Sequence, residues 1–205
     1  EAIQYAASDG YGPLRMYLVE FMKRYQVTDI SYKNILITSG AQQGLAYLAK
    51  GLVTPGSVVI TENPSYPGAL DTFRGYGAEV VGVKMDEDGM DMDELERALE
   101  THRNAAFIYT IADFQNPMGI SMSVPRRKRL VELAEKYDTF VVEDGPYSLI
   151  SFDGRIMPAI KSFDTYGRVI YSGSTSKTIA PGLRIGWLIA DEESIQKLVY
   201  LKMRD

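Results

Sequence analysis

Lys177 stands in a run of small and hydroxyl residues, Ser172-Gly173-Ser174-Thr175-Ser176-Lys177-Thr178-Ile179-Ala180-Pro181-Gly182-Leu183-Arg184-Ile185-Gly186, just after the apolar Val169, Ile170 and Tyr171. Serine and glycine let other groups approach the backbone closely, Pro181-Gly182 turns the chain sharply, and Arg184 can make a forked contact with an anion. A lysine that loses solvation beside another cation is an activated amine, able to attack a carbonyl. Two plainer readings fit the same lysine. One is a surface side chain in a Gly/Ser loop. The other is a nucleotide phosphate loop, which requires glycine directly before the lysine and fails here because Ser176 occupies that position.

The elements that must position these residues follow from apolar patterning. Val- and Ile-rich runs alternate with helical patterns, the form of a βαβ protein with a mainly parallel sheet. Helices are expected over residues 14–25, 41–52, 67–75, 92–100, 124–137 and 192–203, with Pro13 opening the first and Asp91, Ser123 and Asp191 capping the last three. Strands are expected over residues 34–38, 58–61, 78–84, 105–111, 139–143, 168–172 and 187–190. In an open α/β sheet, ligands bind beyond the carboxyl ends of the strands. Five loops just after expected strands carry the unusual residues: 39–42, 62–66, 116–119, 144–147 and 174–177. One site at one edge of the sheet is the implication.

Within those loops, Ser39, Gly40, Ala41 and Gln42 open a helix whose free N–H groups and dipole suit an anion; a plain cap at Ser39 fits the same residues. Asp144 closes the apolar Phe140-Val141-Val142 and needs a partner, since an unpaired buried carboxylate is costly; an Asp capping the next turn is the simpler alternative. Asn116 precedes Pro117, which disfavours the helical region for it and turns its amide outward. Tyr66 is an aromatic in a strand-to-helix loop, a place where side chains often simply pack.

Ser174, Ser176, Lys177, Pro181, Gly182 and Arg184 together resemble the lysine segment of the fold-type I enzymes of the aspartate aminotransferase superfamily. Asn116-Pro117-x-Gly119 and Asp144-x-x-Tyr147 resemble two further signatures of the same proteins. The resemblance extends over roughly residues 5–203. It implies a three-layer α/β large domain with pyridoxal 5'-phosphate as cofactor and Lys177 as the Schiff-base lysine. It also implies a phosphate site at Ser39 to Gln42 with Ser174, Ser176 and Arg184. Asp144 is then the partner of the ring nitrogen, Asn116 and Tyr147 donate to the phenolic oxygen, and Tyr66 stacks on the ring. Tyr5 lies where the family places a tyrosine reaching the phosphate of the neighbouring subunit, which implies a homodimer. Phe114-Gln115-Asn116-Pro117 and Tyr66-Pro67-Gly68-Ala69 look most like the branch of 2-aminoadipate and broad-specificity aminotransferases, which also contains the aminotransferase-like domains of GntR-type regulators.

Composition agrees with a globular chain of this kind. The 205 residues are 45% hydrophobic and 24% charged, with a formal net charge of -5. That balance gives no reason to expect nucleic acid as a partner. Cysteine is absent and His102 is the only histidine, so a thiolate or zinc centre is not expected. No apolar run approaches a membrane span, no signal peptide is evident, and a cytoplasmic location is the expectation. The cationic run Arg126-Arg127-Lys128-Arg129 spans all sides of a helix and is expected to be a solvated face tolerant of substitution.

Relatives of this kind are about twice as long, so the chain is expected to be a large domain without its small domain and N-terminal arm. The small domain supplies the arginine that grips the substrate carboxylate. Amino transfer between an amino acid and a 2-oxo acid is the implied activity. An effector domain of a GntR-type transcriptional regulator is the alternative, and a plain nucleotide-binding domain is disfavoured by the missing Gly-x-Gly-x-x-Gly.

Overall fold

The computed structural model describes residues 6–204. Among the described residues eight strands form one sheet: β1 (Ile35–Thr38), β2 (Val58–Asn63), β3 (Glu79–Asp86), β4 (Gly89–Met90), β5 (Ala105–Thr110), β6 (Phe140–Asp144), β7 (Val169–Ser174) and β8 (Gly186–Ile189). Their order across the sheet is β1-β8-β7-β6-β5-β2-β3-β4. Neighbours from β3 to β7 run parallel, whereas β8 is antiparallel to both β7 and β1. Because β8 reverses between them, β1 points the same way as β7. The carboxyl ends of β1, β2, β5, β6 and β7 therefore share one edge.

Six helices of the described residues cover the two faces: α1 (Gly12–Met22), α2 (Ala41–Leu52), α3 (Pro67–Gly75), α4 (Met92–Thr101), α5 (Val124–Lys136) and α6 (Glu192–Lys202). On one face Leu45 and Leu48 of α2, Phe73 of α3 and Leu198 of α6 bury against Leu36, Phe107, Val142 and Leu188. On the other, Leu95, Leu99, Leu130 and Leu133 of α4 and α5 cover Ile60, Ile108 and Val141, and Leu18 and Met22 of α1 cover Ile35, Trp187 and Ile189. The central strands are buried on both faces, which is why they read as continuous apolar runs. Among the described residues no helix is long and apolar enough to cross a membrane.

Local chemistry explains most element ends. Pro13, Pro67 and Pro125 sit in the first turns of α1, α3 and α5, where a missing N–H is harmless. Asp91 accepts from the N–H groups of Asp93 and Glu94, both at 2.9 Å, and Asp191 from that of Ser194 at 2.9 Å. Ser123 departs from expectation: it precedes α5, but its side chain makes no capping bond. Helix α1 ends at Met22, and Lys23–Tyr25 tightens into a 3-10 turn before Gln26 adopts a left-handed conformation at φ 62°. Strand β7 runs on to Ser174 because Gly173 and Ser174 still pair with Trp187 and Gly186. The two-residue β4, paired with the end of β3, is too short to leave an alternating pattern in the sequence.

The cationic run of α5 is not a solvated face. Arg127 is fully buried and donates to the carbonyls of Met122, Ala112 and Pro158 at 2.9, 3.1 and 2.9 Å and to the Asp113 carboxylate. Arg126 forks onto Asp86 with two bonds of 2.6 Å and reaches the Gly89 and Met90 carbonyls. Arg129 binds Glu96 at 2.7 Å. Only Lys128 keeps the expected exposure. Four consecutive residues on a helix point in four directions, so one of them must face the sheet.

Candidate active site

At the carboxyl edge a cleft of about 480 Å³ gathers residues from all five loops: Ala41 and Gln42, Tyr66, Asn116, Asp144 with Tyr147, and Ser174, Ser176 and Lys177. Pro181 and Arg184 complete it. A larger apolar hollow of about 680 Å³ lies between α2 and α6, but its charged lining is limited to Lys50, Glu193 and Lys197. The titratable groups that sequence singles out converge on the smaller cleft.

Asp144 ends β6 and is 4% exposed. Its Oδ2 accepts from the Tyr109 hydroxyl at 2.8 Å, whereas Oδ1 is buried with no hydrogen-bond partner among the described residues. Burial pushes the carboxyl from 3.8 up to about 6, with the Tyr109 hydrogen bond, and after it the Ser172 hydroxyl on the neighbouring strand, pulling the other way. A buried oxygen of this kind is an acceptor waiting for a donor. The same surroundings raise the Tyr109 hydroxyl well above 10, first through burial and then through the Asp144 charge. Nothing in the sequence around Tyr109 marks it as a site residue. Its signal is register, since the neighbouring β5 and β6 put Tyr109 opposite Val142, on the face that Asp144 shares two residues later.

The anion end is built by α2 and the segment after β7. Gly40, not Ser39, precedes the first helical residue, with φ 81° and ψ 164°. Ser39 is exposed, its N–H is taken by Gln43 Oε1 at 2.7 Å, and neither Ser39 nor Gly40 lines the cleft. A Cβ on Gly40 would lie 2.7 Å from Arg184 Nη2, so the absent side chain makes room for the guanidinium at the helix N-terminus. Arg184 itself is left-handed at φ 52°, and its Nη2 lies 3.5 Å from the Ser39 carbonyl. Ser174 Oγ bonds Ser176 Oγ at 2.9 Å and accepts the Ser176 N–H at 3.1 Å, closing a tight hydroxyl pair. Gln42 spends its amide on the Gly68 carbonyl and the Thr72 hydroxyl, at 3.0 and 2.6 Å, which ties α2 to α3. Its backbone N–H, like that of Ala41, belongs to the first helical turn and is left without an intrahelical partner.

Asn116 Nδ2 donates to the Tyr147 hydroxyl at 3.2 Å, so two predicted donors meet at one place. The peptide bond between Asn116 and Pro117 is cis. Tyr66 is half-buried, packs on the core beneath α2 and α3, and folds over Gly68, where a Cβ would sit 2.5 Å from the tyrosine oxygen. Lys177 lines the cleft but is exposed, so the described residues do not supply the desolvation expected of it. Tyr5 lies outside the described residues.

Two further buried carboxylates stand near the carboxyl ends of β2 and β6 without lining the cleft. Glu62 is 2% exposed and accepts from the Thr110 hydroxyl, the Ile111 N–H at 3.3 Å and Gln115 Nε2 at 3.0 Å. Glu143 accepts from the N–H groups of Ile160 and Lys161 at 2.8 and 2.9 Å. Burial pushes each carboxyl up to about 7 against those bonds.

Comparison with known proteins gives the family of the chain. The family model for class I and II aminotransferases matches residues 1–204. Aromatic-amino-acid aminotransferase 1 of Thermococcus litoralis is 41% identical over 206 residues, covering 98% of this chain and 49% of that protein. An uncharacterized HTH-type transcriptional regulator of Bacillus subtilis is 37% identical over 204 residues, covering all of this chain and 42% of the regulator. The crystal structure of the alpha-aminoadipate aminotransferase of Thermus thermophilus, complexed with N-(5'-phosphopyridoxyl)-L-leucine, superposes with a TM-score of 0.91 at 38% identity, over 98% of this chain and 51% of that one. The chain thus spans about half the length of the curated relatives it matches. Its mainly parallel α/β sheet is that of the aspartate aminotransferase-like large domain. The chain belongs to the class I and II aminotransferase family.

Proposed function

We propose that the chain is the pyridoxal-phosphate-binding domain of an aminotransferase that moves an amino group between an amino acid and a 2-oxo acid. The observation that carries this reading is the buried Asp144 carboxylate with an unpartnered Oδ1 beside a cleft that also holds Lys177 and an anion cradle. The residues fit the cofactor at each end. An N–H donor with cationic character supplies the partner Oδ1 lacks, and the Arg184 guanidinium, seated at the N-terminus of α2 where Gly40 has no side chain, suits a phosphate. The phosphopyridoxyl adduct in the Thermus thermophilus relative supports the same choice of ligand.

When bound, pyridoxal phosphate supplies an electrophilic carbonyl and an electron-withdrawing ring. The first-turn N–H groups of α2, with Ser174, Ser176 and Arg184, bind the phosphate. Asp144 would hold a proton on the ring nitrogen, Asn116 and Tyr147 would orient the phenolic oxygen, and Tyr66 would cover the ring against water. Lys177 Nζ would be the amine that holds the cofactor and, as a free amine, the base that takes and returns the α-proton of the amino substrate.

We extend the proposal to a cytoplasmic homodimer of which this chain is the large domain. The exposed Tyr11, Met16 and Tyr17 at the start of α1 support a covered face there. Similarity along the whole chain to the Bacillus subtilis regulator favours one second reading, an effector domain that binds the same cofactor. Incubating the full-length protein with pyridoxal phosphate and a panel of L-amino acids, with 2-oxoglutarate as acceptor, tests the choice. Oxo-acid product that disappears in Lys177→Ala supports the enzyme. Cofactor capture without product supports the regulator, and no capture by the wild type contradicts both.

A further inference from the structure

Glu62 and Gln115 lie directly behind the cleft without lining it. Pairing of Thr61 with Tyr109 sets Glu62 beside Thr110 at the ends of adjacent strands. The Glu62 oxygens are occupied by the Thr110 hydroxyl, the Ile111 N–H and Gln115 Nε2. Gln115, 1% exposed, spends the rest of its amide on two different loops. Nε2 also donates to the Pro64 carbonyl at 2.9 Å, and Oε1 accepts the Met118 N–H at 2.9 Å. Pro64 is two residues from Tyr66, and Met118 is two residues from Asn116.

We propose that Glu62 and Gln115 are positioning residues that fix the Tyr66 loop and the Asn116 loop relative to one another across the cleft. An ionised carboxylate accepts and never donates, so all three of its partners must present hydrogens. That requirement dictates which way the Gln115 amide faces: nitrogen toward Glu62 and Pro64, oxygen toward Met118. The orientation of a single buried amide thus holds the Met118 N–H, and with it the turn carrying Asn116, whose Nδ2 reaches Tyr147 at 3.2 Å. Glutamine in place of Glu62 brings one acceptor oxygen to a site with three donors and points its own N–H groups at the remainder. An apolar residue there leaves the Ile111 N–H and Gln115 without their acceptor. The pair acts only through the groups that line the cleft, and its functional meaning rests on the pyridoxal-phosphate reading above.

The test compares wild type, Glu62→Gln, Gln115→Met and the double variant at about pH 8.5, above the raised titration of Glu62. Three quantities are read: affinity for pyridoxal phosphate, affinity for inorganic phosphate followed at the first-turn amides of α2, and hydrogen exchange at the Met118 amide. Each single variant is expected to lose on the order of ten-fold in pyridoxal-phosphate affinity and to exchange faster at Met118. Phosphate affinity should stay within about two-fold, and the double variant should be no worse than the weaker single. Unchanged affinity and exchange in both singles overturn the proposal. So does a parallel fall in both affinities, which marks general loss of structure. If Glu62→Gln fails to fold, Gln115→Met carries the same comparison. Failure of the cofactor reading looks different: the wild type then takes up no pyridoxal phosphate, and Met118 exchange still decides whether the pair holds the loop.

Discussion

Replacing Asp144 with asparagine separates what a buried carboxylate costs this fold from what a ligand returns to it. Burial raises the carboxyl from 3.8 to about 6 in the folded chain. At ~1.4 kcal/mol per pH unit, that rise corresponds to about 3 kcal/mol. Its sign follows from linkage. Below pH 3.8 the group is protonated both folded and unfolded and costs nothing. As pH climbs toward about 6 the unfolded chain ionises more readily, so stability falls, and above that it levels off. Asparagine can still accept from Tyr109 but does not titrate. Urea unfolding of ligand-free wild type and Asp144→Asn at about pH 4 and about pH 8 should therefore show the variant gaining about 2.5 kcal/mol on the wild type between the two, since the unfolded chain is already partly ionised at pH 4. Glu62 and Glu143 titrate upward in both proteins and largely cancel from the difference. Pyridoxal phosphate at about one hundred times its Kd should stabilise the wild type at pH 8 by about 2.7 kcal/mol and the variant by less. A difference between wild type and variant that is flat with pH would refute the claim that Asp144 is desolvated.

Other substitutions bear on separate parts of the account. Arg127→Ala leaves Asp113 and three carbonyls without their donor and should cost ~3–5 kcal/mol in chemical denaturation, whereas Lys128→Ala should stay within about 0.5 kcal/mol. Equal effects would contradict the burial of Arg127. Gly40→Ala puts a Cβ 2.7 Å from Arg184 Nη2 at a residue with φ 81°, so affinity for inorganic phosphate should drop by roughly ten-fold. An unaltered phosphate titration would remove the anion site from this end of α2. Loosening the Glu62 to Gln115 link should weaken pyridoxal phosphate far more than phosphate alone, as set out above.

Much of this organisation is legible in sequence because it depends on short-range rules. Pro67 opening a helix that closes at Gly75, the Asp91 and Asp191 caps, and loops of unusual residues after apolar runs are all local, and the five loops do meet at one cleft. What sequence misses depends on partners distant along the chain. Arg127 looks like its cationic neighbours until α5 is laid on the sheet and the Ala112 and Pro158 carbonyls surround it. Tyr109 reads as one more apolar strand residue, because only the pairing of β5 with β6 reveals that it faces Asp144. Ser39 has the composition of a helix cap, yet Gly40 takes that place because the backbone there is left-handed and crowded by Arg184. Lys177 keeps the expected position without the expected burial, since the described residues close the cleft on only some of its sides.

Lys177 is proposed as the cofactor-bearing lysine of this cleft. Mixing the full-length protein with pyridoxal phosphate, reducing with borohydride and mapping the modified peptides tests it most directly. One pyridoxyl group is expected, on Lys177, with none in Lys177→Ala. Label spread evenly over the surface lysines, or retained undiminished in the variant, would contradict it.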